Sequence, residues 1–233
     1  MNLIIENLPL LWIGLKATLS LALVTLLASS AIGVVLGSLA TLKPKPLRVA
    51  VALYVETFRD IPLIVTIFTI FFGAPFVGVP LEPFPAVALG LSLWGGANAS
   101  EIVRAGITSV PAGQTEAARA LGLHTAKIYL LILWPQATRA VLPAYTGLLA
   151  LLFQSTSLGA LVGVTEFLKA GGLIIERSTV MLGVNPSFQI YGVVLAVYFV
   201  ISSGLSLLSR WLERRLAKGG TRAVVAAPDA ASL

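Results

Sequence analysis

The sequence predicts an all-α integral membrane protein with five transmembrane helices. Composition points there first: 57% of the 233 residues are hydrophobic and only 11% are charged, against about 25% charged in an average soluble domain. The spacing of the charges points there again. Between Lys16 and Lys43 lie 26 uncharged residues, between Asp60 and Glu82 21, between Glu82 and Glu101 18, between Arg139 and Glu166 26, and between Arg177 and Arg210 32. A helix needs roughly 20 mostly apolar residues to cross a bilayer, so each gap accommodates one span. A soluble protein is disfavoured, because a chain this short could not bury five such segments. A membrane β-barrel is disfavoured too, because the runs are continuously apolar and lack alternation with period two.

The spans are predicted at about 10–42, 49–72, 85–105, 127–153 and 188–211. The first is longer than a signal-peptide core and ends in a basic cluster without a clear small-x-small cleavage site. The cluster "KPKP" after it breaks the helix, since proline lacks an amide donor and disfavours helix just before it. The loop "GAPFVGVPLEPFP" separates spans two and three. Gly171 and Gly172 mark an external turn before the fifth span. The chain reads as one transmembrane domain over 1–218, with a flexible cytoplasmic tail over 219–233. No convincing internal repeat is present.

Positive residues collect on the cytoplasmic side of short loops. Lys43, Lys45 and Arg48 follow span one. Arg104, Arg119, Lys127 and Arg139 surround the segment after span three. Arg210, Arg214, Arg215, Lys218 and Arg222 follow span five. The loop between spans two and three contains no Lys or Arg. The N-terminus is therefore expected outside and the C-terminus in the cytoplasm. The formal charge of +6 is accounted for by topology. Nucleic acid is excluded as a partner, because the basic residues are divided among short loops with no aromatic platform among them.

Between spans three and four, "SVPAGQTEAARALGLH" predicts a short cytoplasmic helix over about 114–123. Pro111 and Gly113 end the preceding helix. Glu116 stands in the first turn, where a carboxylate complements the helix dipole by about 0.3–1 kcal/mol. Ala117, Ala118, Ala120 and Leu121 form a small face, and Gly122 suits a helix C-terminus. Two turns cannot hold themselves in water, so the helix is expected to pack on something. A plain connector on the membrane surface is the simpler alternative.

The segment resembles the cytoplasmic EAA motif of the membrane subunits of bacterial ABC importers: Glu116-Ala117-Ala118, then Gly122, then Ile132 and Pro135 at the motif's spacing, with Trp134 where leucine is usual. "GLKATLSLAL" at Gly14, "YVETFRDIPLIV" at Tyr54, "SEIVRAGITSVPAGQTEAARALGL" at Ser100 and "STSL" at Ser155 are similar to the polar amino-acid permease branch. The resemblance implies a type I ABC importer-like fold. It implies a coupling helix between helices 3 and 4, with Gln114, Glu116, Ala117, Ala118, Leu121 and Gly122 docking on an ATPase. The partners it implies are ABC ATPase subunits, a second permease subunit, identical or homologous, an extracytoplasmic substrate-binding protein, the lipid bilayer and an amino-acid substrate. ATP and Mg are used by the partner ATPase, and no cofactor is expected on this chain. Two positions depart from the branch: Asp60-Ile61-Pro62-Leu63 stands where Gly-Thr-Pro-Leu is frequent, and Gln154 stands where a lysine is frequent.

Charged residues inside spans are costly and are functional candidates by default. Glu56 and Arg59, and Glu101 and Arg104, are each three apart and can meet on one helix face, as a gate or as packing ion pairs. Asn98, Ser100 and Glu101 with Gln154, Ser155, Thr156 and Ser157 offer donors and acceptors that a zwitterion needs. The same groups can equally bond helix to helix, at roughly 0.6 kcal/mol each. Gly95 and Gly96 allow close helix contact or a local break. The single histidine, His124, has no second histidine for a metal site or proton relay. With no cysteines, no HExxH, no intramembrane aspartyl pair and no G-x-x-x-x-G-K-[ST] loop, the chain is expected to be neither an enzyme nor its own ATPase, and to hold no metal. A membrane scaffold or sensor that shares the fold without transporting is the alternative function.

Overall fold

The structure, a computed structural model, describes residues 2–220. Most of the tail expected over 219–233 therefore lies outside the described residues. The elements in chain order are α1 (Asn2–Glu6), α2 (Leu8–Leu39), α3 (Lys45–Asp60), α4 (Leu63–Gly73), α5 (Pro83–Thr108), α6 (Ala112–Ala120), α7 (Thr125–Ile128), α8 (Trp134–Ser155), α9 (Phe167–Leu182) and α10 (Ser187–Gly220). A 3-10 turn, Ala74–Val77, follows α4, and a second one, Thr156–Val162, follows α8. A π-helical stretch, Tyr129–Leu133, joins α7 to α8.

Among the described residues, Leu8–Leu39, Thr125–Val162 and Ser187–Arg215 are long and apolar enough to cross a membrane. The region expected as a continuous second span is instead two helices, Lys45–Asp60 and Leu63–Val77, bent by 100°. Pro62 causes the break: Ile61 before it is extended, with ψ 129°, and the chain restarts as helix after the proline. Pro83–Thr108, expected as the third span, has 26 residues, about 39 Å at 1.5 Å per residue. More than half of it is buried in the chain, so lipid does not dictate its composition. Glycine, alanine and serine occupy the places a lipid-facing helix gives to leucine.

α2 shows the same logic from outside. Its buried positions are Gly14, Thr18, Leu21, Thr25, Ser29, Gly33 and Gly37, with Leu11 at the end, a row advancing mostly by four. Its exposed face carries Trp12, Ile13, Leu19, Leu23, Leu27, Val34 and Val35. The large apolar side chains thus face outward, the reverse of a soluble amphipathic helix. Small residues face inward, where they let backbones approach. A Cβ on Gly33 would collide with Ala99, and one on Gly37 would lie 2.5 Å from the Ser100 carbonyl oxygen. Gly95 meets Ser29 and Gly96 meets Ile32, which makes these two glycines points of close contact within a continuous helix. Numbers rise together along α2 and α5 at these contacts, so the two helices run parallel.

α8 returns antiparallel to α5, with Val141 against Gly106 and Leu152 against Gly95. Hydroxyls tie α2 to the returning limb: Ser30 to Tyr145, and Thr41 Oγ1 to the Tyr129 hydroxyl at 2.5 Å. The external turn expected at Gly171 and Gly172 is absent. Both lie inside α9, and Gly171 is buried where a Cβ would stand 3.0 Å from Val194 of α10. The glycines serve helix packing, and the turn lies at Gly183, with φ +65°.

Candidate functional site

α6 occupies the place expected for the cytoplasmic helix, over Ala112–Ala120 rather than 114–123. Gly122 has φ +77°, a conformation that glycine adopts without strain, and its amide donates to the Arg119 carbonyl at 2.9 Å. The next amide, Leu123, reaches the Ala118 carbonyl at 3.1 Å, closing the helix. One residue anchors it: Ala118 is 3% exposed and packs with Val103, Ile107, Ile128, Leu133 and Ala137. The small-residue face expected to be continuous is therefore split. Ala118 points into the membrane domain, whereas Gln114, Glu116, Ala117, Ala120 and Gly122 are exposed, and Leu121 is 81% exposed. Nothing lies within 4 Å of a Cβ placed on Gly113 or Gly122. A leucine left in the open beside bare backbone is a surface suited to a partner.

The charged candidates meet in one cleft. Glu56, Arg59, Glu101 and Arg104 all line a cavity of about 550 Å³ between α3 and α5. Glu101 and Arg104 form a bidentate pair, with Arg104 Nε donating to Oε1 at 3.0 Å and a terminal nitrogen donating to Oε2 at 2.7 Å. This is the one ion pair among the described residues. Glu56 and Arg59, expected as a second pair, are both exposed and are not bridged. They share a helix face and line the cleft without meeting.

The polar candidates separate into two groups. On α5, Ser100 is 1% exposed and its hydroxyl donates to the Gly96 carbonyl at 2.7 Å, while Asn98 donates to the Trp94 carbonyl at 2.9 Å. Both are bonded within their own helix. At the end of α8, Gln154 is exposed and Ser155 and Ser157 are half-buried. Thr156 is fully buried, donating to the Phe153 carbonyl at 2.7 Å. Here the backbone leaves the α-helix for the 3-10 turn. Non-helical backbone at membrane depth is tolerated only where protein or a water-filled cavity covers it.

The helix after this turn, α9, is capped by a residue that is not among the candidates read from the sequence. Glu166 is fully buried. Its carboxylate accepts the Lys169 amide at 2.7 Å, the Leu168 amide at 2.9 Å and the Tyr198 hydroxyl at 2.9 Å, with Thr18 Oγ1 at 3.4 Å. Thr18 in turn accepts the Phe167 amide at 3.0 Å. The first three amides of α9 are thereby satisfied by side chains, and α2, α9 and α10 are joined at one carboxylate. The signal available in the sequence was "TEF" starting a 3.6-period run, which places an acidic cap before a helix.

The family described as binding-protein-dependent transport system inner membrane component matches residues 30–218. A probable glutamine ABC transporter permease protein, GlnP of Bacillus subtilis (strain 168), is 33% identical over 210 residues, covering 90% of this chain and 95% of that protein. The nopaline transport system permease protein NocM of Agrobacterium fabrum is 34% identical over 233 residues, covering 94% and 95%. Among solved structures, an amino acid ABC transporter crystallised with histidines shares 27% identity at a TM-score of 0.80, covering 91% of this chain and 96% of that one. The inward-facing MetNI methionine ABC transporter shares the fold at a TM-score of 0.72 and 23% identity, covering 90% and 97%. A buried small-residue helix pair, an exposed short helix and these likenesses converge: the chain belongs to the binding-protein-dependent transport system inner membrane component family and is a multi-pass inner-membrane permease subunit of an ABC importer, not an enzyme.

Proposed function

We propose that this subunit imports a polar amino acid, with ATP hydrolysed in trans by ATPase subunits that grip α6. The observation carrying the reading is the geometry of that helix. It is anchored by one buried alanine and otherwise leaves Leu121 and bare backbone exposed. Relatives named for glutamine, L-cystine, nopaline and glutamate transport support the substrate class. A second permease subunit completes the path, and an extracytoplasmic binding protein delivers substrate. The N-terminus lies outside and the C-terminus in the cytoplasm. Among the candidate substrate contacts, Gln154, Ser155 and Ser157 stand at a helix break with exposed or half-buried side chains, whereas Ser100 and Thr156 are structural. Asn98 is bonded to its own helix, and Glu101 and Arg104 neutralise each other in the cleft between α3 and α5.

The test is reconstitution with the ATPase and binding protein. Substrate-loaded binding protein should raise ATP hydrolysis and drive uptake. A scaffold or sensor would show neither. Because the chain has no cysteine, cysteines introduced at Lys45 and Glu82 read the orientation with an impermeant thiol reagent. Position 82 should label from outside intact cells and position 45 should not; the reverse pattern would refute the orientation.

A further inference from the structure

The cleft between α3 and α5 holds more positive charge than its ion pair uses. Besides Glu101 and Arg104, which neutralise each other, its lining carries Lys45, Arg48 and Arg59 against the single carboxylate of Glu56. Among the described residues, no carboxylate lies within ion-pair distance of Lys45, Arg48 or Arg59. The wall behind these cations is apolar, with Val51 and Val55 buried in it and Ala40 closing it from α2.

A second hollow lies beside it. A wholly apolar groove of about 400 Å³ is lined by Ala31, Ile32, Val35, Leu36, Tyr54 and Leu93. It is bounded by the same three helices, α2, α3 and α5. Leu36 lies one helical turn from Ala40 of the cleft, and Tyr54 lies next to Val55. Ala31 and Val35 are exposed on the face of α2 that carries its large apolar side chains. A basic headgroup-sized hollow thus adjoins an apolar channel that runs along α2 into the membrane.

We propose that the two hollows form one binding site for an anionic phospholipid of the cytoplasmic leaflet: the phosphate lies against Lys45 and Arg48, and an acyl chain lies in the groove along Ala31 and Val35. Charge and shape together select this occupant. Anionic lipids are drawn to basic residues at the cytoplasmic surface and into basic pockets between helices, and a guanidinium binds phosphate in bidentate fashion. A free anion would use the cleft and leave the groove empty. The proposal rests on the orientation given above, which the labelling of positions 45 and 82 tests separately from lipid binding.

The test uses the whole importer, with its ATPase subunits, in nanodiscs of equal phosphatidylglycerol and phosphatidylcholine, with retained lipid counted by native mass spectrometry. Each cation near anionic headgroups is worth about five-fold in affinity, so the wild type should retain phosphatidylglycerol about thirty-fold over phosphatidylcholine through this pair. Lys45→Gln with Arg48→Gln should bring retention close to parity. Both residues are exposed, so folding is not at stake, and the assembled complex in the same spectrum verifies it. Arg214→Gln with Arg215→Gln, at the basic end of α10, should leave the preference intact. Ala31→Trp, which fills the groove without altering charge, should release the lipid, and glycerol phosphate should fail to displace it. The proposal is overturned if the Arg214 and Arg215 variant loses as much lipid as the Lys45 and Arg48 variant, which would show diffuse surface attraction. It is also overturned if glycerol phosphate competes, showing an anion site alone, or if Ala31→Trp splits the permease dimer with lipid retention unchanged, showing that the groove belongs to a second copy.

Discussion

The short helix α6 and the broken limb from Gln154 to Phe167 are both interruptions between long apolar segments, yet they are built oppositely. α6 is punctuated by Pro111 and Gly122, is polar on most of its surface, and is pinned by a single buried alanine. The broken limb is apolar or hydroxylic after Gln154, and it ends at one fully buried carboxylate that caps α9 and joins three helices. The first leaves most of its surface, Leu121 included, exposed. The second ends where side chains satisfy the first amides of α9.

The comparison breaks most sharply at Glu166. Replacing it with alanine removes the acceptor of two amides and two hydroxyls, and unsatisfied buried groups cost about 1–3 kcal/mol each. We expect Glu166→Ala to destabilise the subunit by several kcal/mol, seen as a large fall in detergent melting temperature. Glu166→Gln, which keeps two acceptor sites, should recover part of it. Equal melting of wild type and the alanine variant would show that the limb is held elsewhere.

Gly33 is expected to come next. A leucine there must enter the space of Ala99, and overpacking typically costs 1–3 kcal/mol. Gly33→Leu should lower melting temperature and leave α6 intact as a docking surface. Unchanged melting would mean that α2 and α5 separate more easily than their close approach implies.

At α6 itself the effects should fall on coupling and spare stability. Leu121→Asp changes an 81% exposed side chain. It should leave melting within about 0.5 kcal/mol, the ordinary range for surface changes, while abolishing substrate-stimulated ATPase activity. Ala118→Leu should do the reverse of a clean docking variant: it forces volume into the Val103–Ala137 cluster and should destabilise as well as uncouple. At Gln154→Ala the expected effect falls on affinity alone. Loss of one hydrogen bond to a charged group costs about 1.5–3 kcal/mol, or roughly ten- to a hundred-fold in apparent substrate affinity, with melting unchanged. Intact affinity would remove Gln154 from the substrate path.

The two regions were also unequally legible. Prolines, glycines and the clustered cations wrote α6 into the sequence, because cytoplasmic structure has to be polar and its ends have to be capped. The long gaps between charges wrote the apolar helices in the same way. The 100° bend was harder to see, since Pro62 stands in an apolar run that reads as one span. α9 was hidden because Gly171, which packs against Val194, and Gly172 beside it resemble turn residues. Glu166 was hidden because a charge between two apolar runs resembles a loop, and only the placement of Thr18 and Tyr198 from distant helices shows it as buried. Asn98 and Ser100 illustrate the remaining difficulty. A polar atom bonded to its own helix and one that faces a substrate have the same letter.

The central claim is that α6 presents Leu121, and hides Ala118, for an ATPase partner. The chain has no native cysteine, so single cysteines at Leu121 and at exposed Lys127 can be modified with a maleimide in the isolated subunit and in the complex with its ATPase. The account predicts fast labelling at both positions in the isolated subunit, and protection of position 121 by at least ten-fold in the complex. Labelling of position 121 at the same rate with and without the ATPase would contradict it.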